Sequence, residues 1–199
     1  MSDATPTRSV VLEMKDERRA MHDGYVFLDE KCLLLAGEML RELERYDALR
    51  RTFSMAHAAA IDRLRDAIAR HGLQGLEVYP GADAARTTIA RTARTLMGVR
   101  LQGAELAGEL PAAERAIDAS PEAEACRRAF TALSSAAAPL AAVSGNLERL
   151  SFEYKRSVRR ARALQDVLLP ELDRDVSDLE TRLEELEQED AIWMRRGRS

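Results

Sequence analysis

An apolar seam in the C-terminal part of the chain constrains the fold more than any other feature. Its members recur in steps of three and four, and they are Leu164, Leu168, Leu172, Val176, Leu179, Leu183 and Leu186. This spacing places them on one face of a helix, and that face must pack against a partner. Pro170 lies within the run. Because a proline inside a helix costs about 3 kcal/mol and removes a hydrogen bond, it predicts a bend there.

A second apolar seam lies near the other end of the chain. Its members are Met21, Tyr25, Leu28, Cys32 and Leu35, and the pattern continues through Met39 and Leu43. The two seams predict long helices over about residues 9–71 and 120–196, with a further bend in the second helix near Pro139. Because these helices are of comparable length, the simplest arrangement pairs them antiparallel within one chain. A parallel homodimer is the alternative, and periodicity alone does not distinguish the two.

The segment between the helices, residues 72–119, has a different character. Gly72 and Gly75 predict the end of the first helix. A Pro-Gly turn followed by alternating Ile, Ala and Thr residues predicts a short β-hairpin, and Gly98, Gly103, Gly108 and Pro111 mark a predicted loop. The predicted fold class is all-α dominated: a long antiparallel two-helix coiled coil formed by the N- and C-terminal helices, with a small central insert containing the hairpin. Residues 1–8 and 197–199 are predicted to be a flexible N-terminus and a frayed tail.

The composition narrows the functional class. Hydrophobic residues make up 46% of the 199 residues, aromatic residues only 5% and charged residues 32%, which is typical of long helices. A net charge of −4 argues against a nucleic-acid-binding protein. No apolar run approaches the ~20 residues that span a bilayer, and the N-terminus lacks the apolar core of a signal peptide. We therefore expect a cytoplasmic protein with Cys32 and Cys126 reduced.

Sequence motifs of catalysis and of cofactor binding are missing from the chain. It contains neither a GxxxxGK phosphate loop nor a GxGxxG motif, and its three histidines are too far apart for a local metal motif. An acidic cluster near the C-terminus is interpreted as a solvated helix face; it comprises Glu184, Glu185, Glu187, Glu189 and Asp190. We therefore predict no catalytic, cofactor-binding or metal-binding residues.

A basic stretch stands out in this acidic protein. It comprises Lys155, Arg156, Arg159, Arg160 and Arg162, and we refer to it as the basic band. One interpretation is a positive surface that faces acidic loops of a partner. The other is pairing with acidic residues on the first helix, where each exposed pair contributes about 0.2–1 kcal/mol. The sequence favours neither interpretation.

Three blocks of residues, in a fixed order along the chain, carry a resemblance to a known family. The first is in the N-terminal helix and comprises Leu12, Lys15, Ala20, Gly24, Leu28 and Lys31. The second is Leu96-Met97-Gly98-Val99 in the insert. The third and most specific runs from Arg159 to Pro170 and reads RRARALQDVLLP. Together these blocks resemble the D subunits of V/A-type rotary ATPases, which form the central shaft of these complexes. The chain departs from the family pattern at Cys32, Arg162 and Gln165, and its Trp193-Met194-Arg195-Arg196 ending follows it only loosely.

The resemblance implies a non-catalytic rotor that takes part in ATP synthesis and in transport of hydrogen or sodium ions. Such shafts stand inside a hexamer of alternating A and B subunits and couple its ATP hydrolysis or synthesis to rotation of the membrane ring. The resemblance implies two further partners, which are the small F subunit and the socket subunit of C/d type above that ring. It also implies a cytoplasmic protein that is peripheral to the membrane, with no direct membrane insertion and no bound nucleic acid.

The resemblance also implies where the chain meets these partners. The paired termini point into the hexamer, and Pro170 is expected to curve the shaft where the hexamer grips it. The insert lies lower, near the F subunit, so Met97, Gly98 and Val99 are candidate contacts, although packing in the core is an equal alternative. The competing function is a homodimeric coiled-coil scaffold or adaptor, for which the predicted hairpin has no evident use.

Overall fold

The computed structural model describes residues 7–79, 88–107 and 119–197. Several sequence predictions lie outside these described residues: most of the flexible N-terminus, the Pro-Gly turn at 80–81, the loop that contains Pro111, and the last two residues of the tail. The elements in chain order are helix α1 (Arg8–Leu76), strands β1 (Thr88–Leu96) and β2 (Val99–Ala107), helix α2 (Pro121–Ala163), a π-helical turn (Leu164–Leu168) and helix α3 (Leu169–Arg196). Since α2, the π turn and α3 follow one another without a break, they form the long C-terminal helix.

Local signals in the sequence account for the helix ends. Near the end of α1, Gly72 has φ of 69° and ψ of 166°, a non-helical conformation that produces a kink. At the start of α2, the Ser120 Oγ accepts a hydrogen bond of 3.2 Å from the Ala123 N–H and so caps the helix. Pro121 occupies the first helical position, where its missing N–H costs nothing.

The two strands form the antiparallel hairpin that the sequence predicts, and this element of the fold is confirmed. Pairing runs from Leu96 opposite Val99 to Thr88 opposite Ala107. The turn consists of two residues with positive φ, Met97 at 47° and Gly98 at 85°. Two positive φ values in a two-residue loop are typical of a type I′ turn, whose twist matches that of the strands. The glycine adopts this conformation without strain, whereas Met97 does so at an energetic cost.

Gly103, which the sequence predicts in a loop, lies within strand β2 and has a specific packing role there. It lies opposite Thr92 on β1, and a Cβ atom at position 103 would come within 2.4 Å of the Thr92 Oγ1. A side chain at this position therefore requires the threonine to move. Gly103 does not have a positive φ, so the backbone conformation does not require glycine here. Close packing across the strand pair is the reason for the glycine.

The chain divides into two compact units, which we describe separately. Unit 1 comprises Met1–Leu34 and Tyr154–Ser199, and unit 2 comprises Leu35–Glu153. In unit 1 the first part of α1 runs antiparallel to the C-terminal helix, because Arg8 contacts Glu187 while Arg18 contacts Asp173. The remainder of α1 runs antiparallel to α2 in unit 2: Glu42 bonds to Asn146, and His71 bonds to Ser120. The predicted antiparallel pairing within one chain is confirmed.

Among the described residues, the cores of both units contain few large side chains. The buried apolar residues of unit 1 are Val11, Cys32, Ala161 and Val176. Those of unit 2 are Leu35, Ala60, Ala67, Val99, Leu101, Val143 and Leu150. The alanines permit close approach of the helices, while Val99 and Leu101 place one face of β2 in the core.

Candidate functional site

The apolar seam of unit 1 holds the two chain ends together. Met21, Tyr25 and Leu28 are half-buried and Cys32 is buried on the N-terminal side. On the C-terminal side Val176 is buried, and the half-buried positions are Leu164, Leu172, Leu179 and Leu183. Leu35, the last member of the N-terminal seam, belongs to unit 2 and is fully buried.

Two leucines of the predicted seam are exposed in the structure. Leu168 is 40% exposed and Leu186 is 43% exposed. For Leu168 the physical reason is the π turn, of which it is the last residue. The additional residue of a π-helical turn rotates Leu168 and the positions after it around the helix axis. The neighbouring Leu169 is half-buried in its place. A regular pattern of threes and fours does not anticipate this shift.

Gly24 lies where the two helices of unit 1 approach each other. A Cβ atom on Gly24 would lie 3.8 Å from the Leu164 Cδ1, which is an ordinary van der Waals contact. The contact places the start of the π turn opposite the part of the N-terminal seam between Met21 and Tyr25. It also means that space alone does not require glycine here.

Ion pairs between the helices of unit 1 form a regular series, which we call the charge ladder. Arg8 pairs with Glu187 at 2.7 Å, Lys15 pairs with Glu180, and Arg18 pairs with Asp173 at 3.1 Å. The three acidic residues are spaced by seven positions, as are Arg8 and Lys15. A spacing of seven returns to the same edge of a helix after two turns, so the ladder runs along one side of the seam.

Pro170 follows the π turn directly. The Leu169 N–H donates to the Leu164 carbonyl oxygen, a bond that spans five residues instead of the usual four. Pro170 lies in the first turn of α3, where its missing N–H is tolerated. The wider turn thus accommodates the proline without ending the helix. Whether this turn curves the pair of helices stays a prediction.

All five residues of the basic band are exposed on the last turns of α2. Within the described part of the chain, Lys155, Arg159, Arg160 and Arg162 form no hydrogen bond or ion pair. These four residues therefore make no contact that would support the second sequence interpretation, which is pairing with acidic residues of α1. Their charges are available to a partner.

The three insert residues that we proposed as contacts differ in accessibility. Gly98 is exposed at the tip of the hairpin, Met97 is half-buried and Val99 is buried with 6% exposure. Gly98 and Val99 line an open groove together with Phe152 of α2, whose side chain is exposed. The buried Val99 therefore packs in the core, and the accessible surface at the tip comes from Gly98 and its neighbours.

Unit 2 contains a buried polar cluster that the sequence patterns do not predict. The pattern through Met39 and Leu43 is out of phase with the structure, which buries Glu38 and Glu42 and exposes Leu43. Asn146 of α2 is buried among the same groups. The available signal was the spacing of Glu38 and Glu42, four residues apart, which continues the helix face of Leu35. Charged residues are rarely assigned to a buried face from sequence.

Burial and hydrogen bonding act in opposite directions on the pKa of the Glu38 carboxyl, whereas burial is the main influence on the pKa of each thiol. Burial alone raises the pKa of the Glu38 carboxyl, but hydrogen bonds from Arg94 and Arg41 outweigh it, and the pKa lies below its usual 4.5. Burial raises the pKa of Cys32 and of Cys126 above the usual 9.0. Both thiols are therefore protonated and weakly reactive at neutral pH.

Two properties of the described residues bear on the kind of site this is. Nowhere in 7–79, 88–107 and 119–197 do three or more His, Cys, Asp or Glu side chains cluster in a way that could hold a metal ion. None of the helices in these ranges has the length and apolar character needed to cross a membrane. The features that remain are the helix pair with its charge ladder, the π turn, the basic band and the attached hairpin.

Known proteins are similar to this chain over nearly its whole length. The family of ATP synthase D subunits matches the chain over residues 10–198. The chain is 26% identical over 199 residues to the D subunit of the A-type ATP synthase of Methanopyrus kandleri, an alignment that covers 98% of this chain and 86% of that protein. It is 27% identical over 203 residues to the D subunit of the V-type ATP synthase of Anaeromyxobacter dehalogenans, covering 100% and 97%.

The D subunit of the V-type ATP synthase of Thermotoga neapolitana is 23% identical over 198 residues, covering 96% of this chain and 95% of that protein. The matches extend through both long helices and the hairpin, so no element of the described fold lies outside them. The resemblance stated from three blocks of residues is thereby confirmed. The chain belongs to the family of ATP synthase D subunits.

Proposed function

We propose that this chain is the central rotor stalk of a V/A-type rotary ATPase. In this role it couples ATP hydrolysis or synthesis in a catalytic hexamer of A and B subunits to rotation of the membrane ring that moves ions. The observation that carries the proposal is the family match over residues 10–198, which includes both helices of the antiparallel pair. Relatives named as D subunits of A-type and V-type ATP synthases support the same class of complex.

The helix pair of unit 1 has the mechanical properties that a stalk requires. Its seam resists separation of the helices because apolar surface would be exposed to water. The charge ladder opposes sliding, since a shift of one helix by a single turn would displace Lys15 from Glu180 and Arg8 from Glu187 together. Two helices fixed in register transmit torque better than one helix alone.

The accessible charges indicate how the stalk would meet the hexamer. The basic band presents four exposed cations that form no ion pair in the described part of the chain. Such a surface favours acidic loops on the A and B subunits and orients them without a fixed contact. The stalk therefore presents a different surface to each of the catalytic sites around it.

The π turn and Pro170 would add an asymmetry of shape to that asymmetry of charge. Three equivalent catalytic sites can only be in different states if the stalk is not symmetric about its axis. A π turn followed by a proline changes the direction of a helix locally. In the proposed function this change sets a permanent curve where the hexamer grips the stalk.

Membership of the D subunit family supports the remaining proposed partners. The hairpin tip, with Gly98 exposed and Met97 half-buried, would face the F subunit, and the same end would contact the socket subunit of C/d type above the ring. The chain itself would carry out no catalysis and bind no cofactor. As part of the complex it would be cytoplasmic and peripheral to the membrane.

Gentle isolation of the complex tests this proposal against the scaffold alternative. The chain is tagged in its native host and purified from membranes, and copurifying proteins are quantified by mass spectrometry. Recovery of A- and B-type ATPase subunits in several-fold excess over this chain is the expected result. Recovery of the chain alone as a dimer would contradict the proposal and favour a homodimeric scaffold.

A further inference from the structure

Two carboxylates lie almost completely inside unit 2. Glu38 is 3% exposed and Glu42 is 1% exposed, one turn apart on α1. Buried carboxylates are costly unless cations neutralise them. Arg41 of the same helix donates two hydrogen bonds to the Glu38 Oε2, at 2.7 and 3.0 Å, and Arg45 donates one to the Glu42 Oε1 at 3.0 Å. The Arg41 contacts leave the Glu38 Oε1 for another element.

That other element is the hairpin. Arg94 of β1 binds the Glu38 carboxylate, and its guanidinium lies 3.5 Å from the Glu42 Oε1. Arg94 lies opposite Leu101 in the strand register, so the two side chains share one face of the hairpin. This face therefore makes both an ionic contact and an apolar contact with its surroundings, since Leu101 is buried.

A second attachment involves the edge of the hairpin. The Gln102 N–H of β2 donates to the Asn146 Oδ1 at 2.8 Å, and the Asn146 Nδ2 donates to the Gln102 carbonyl oxygen at 2.9 Å. One side-chain amide thus pairs with both backbone groups of a strand residue, as a neighbouring strand would. The Asn146 Nδ2 also donates to the Glu42 Oε2 at 3.0 Å, which joins the two attachments.

We infer that Glu38, Glu42 and Asn146 are positioning residues that clamp the hairpin to the helices of unit 2 at a fixed angle. A single attachment would let the hairpin pivot. Two attachments, one on its face through Arg94 and one on its edge through Gln102, remove that freedom. Hairpin and helices then move as one body. The clamp lies within one chain, so the inference holds independently of the rotary function proposed above.

The chemistry of the cluster makes the clamp sensitive to single changes. When one partner of a buried ion pair is removed, the remaining charge is left without compensation. Neutralising Glu38 would leave Arg94 with the more distant Glu42 alone. Truncating Asn146 would leave the backbone groups of Gln102 without their partner and the Glu42 Oε2 without its hydrogen-bond donor.

Pulsed electron paramagnetic resonance on the full-length chain tests the clamp. Nitroxide labels are attached at Thr95→Cys on the outer face of the hairpin and at Ser54→Cys on α1, with Cys32 and Cys126 replaced by alanine. Glu38→Gln combined with Asn146→Ala is expected to broaden the distance distribution about twofold or more as the hairpin becomes free to pivot. The Gln102 amide is expected to exchange about tenfold faster with solvent.

Glu44→Gln is the matched control, since Glu44 lies on the same helix, is exposed and belongs to no ion pair in the described residues. Helix content by circular dichroism should stay unchanged in all variants. If the double variant loses helix content, Arg94→Gln tests the same clamp at a side chain that is 54% exposed, and a broadened distribution is again expected. A distribution as narrow as that of the control in the folded variant would overturn the inference.

Discussion

Arg8 and Glu187 are separated by 179 positions in sequence, yet the Arg8 Nε donates to the Glu187 Oε1 at 2.9 Å. The contact joins the start of α1 to the last turns of α3. It is the outermost rung of a ladder that continues through Lys15–Glu180 and Arg18–Asp173. Because each rung forms in only one alignment of the helices, the ladder specifies register as well as orientation.

Charge reversal at the middle rung should destabilise the helix pair. Lys15→Glu places two carboxylates together, and the free energy of unfolding should fall by about 0.2–1 kcal/mol at low salt. Adding Glu180→Lys should restore most of the loss, and high salt should reduce both effects. Urea denaturation gives the measurement. Arg19→Glu is the control, since Arg19 is exposed and unpaired in the described residues. A double variant no more stable than Lys15→Glu alone would contradict the role of the ladder.

Replacing Pro170 by alanine should remove the π turn. The new N–H can bond to the Asp166 carbonyl, so the wider turn is no longer needed to accommodate the proline. Leu168 should then become less exposed and Leu169 more exposed, which a structure of the variant measures directly. Coupled turnover of the assembled complex should fall if the curve of the stalk is used. Persistence of the π turn with alanine at position 170 would show that another feature causes it.

Reversing charge in the basic band should weaken binding to the hexamer. With Arg159→Glu and Arg160→Glu together, affinity for the isolated A–B hexamer should fall about tenfold at low salt, and the salt dependence should flatten. Binding titrations at several ionic strengths provide the measurement. Arg50→Glu with Arg51→Glu changes the same number of exposed charges on α1 and serves as the control. If both pairs of substitutions lowered the affinity equally, the net charge of the chain and not the basic band would determine binding, which would contradict the prediction.

The clamp in unit 2 should weaken in acid. Because the pKa of Glu38 lies below its usual 4.5 in the folded chain, the unfolded chain binds this proton more readily. The stabilisation is therefore complete above pH 4.5 and is lost as the pH falls through the lower folded value. Urea midpoints measured against pH should show Glu38→Gln less stable than the unmodified chain at neutral pH, with the gap closing in acid. Glu44→Gln should follow the unmodified chain throughout, and a gap independent of pH would contradict this assignment.

The sequence predicts the helices and the hairpin because each has a local signal. The seams give the helix faces, and the Ser120-Pro121 pair marks the start of α2. No local sequence signal marks the π turn. Its additional residue is recognised only in the structure, where Leu169 is half-buried in place of the predicted Leu168. Pro170 indicates an irregularity but not its kind.

The buried cluster of unit 2 is beyond sequence reasoning for a different reason. Glu38 and Glu42 would ordinarily be placed on a solvated face. Their burial depends on Arg94 and Asn146, which lie 56 and 104 positions away from their respective partners. Only the fold brings these groups together, so neither helix periodicity nor strand alternation in a single segment reveals the cluster.

Observation of single molecules tests the rotor proposal most directly. A–B hexamers from the same host are fixed to a surface with this chain inserted, and a bead is attached through Thr95→Cys in a chain whose native cysteines are replaced. A rotor stalk should show stepwise rotation in one direction when ATP is added, stopping when ATP is removed. Beads that show only undirected Brownian motion while the same hexamers hydrolyse ATP would contradict it.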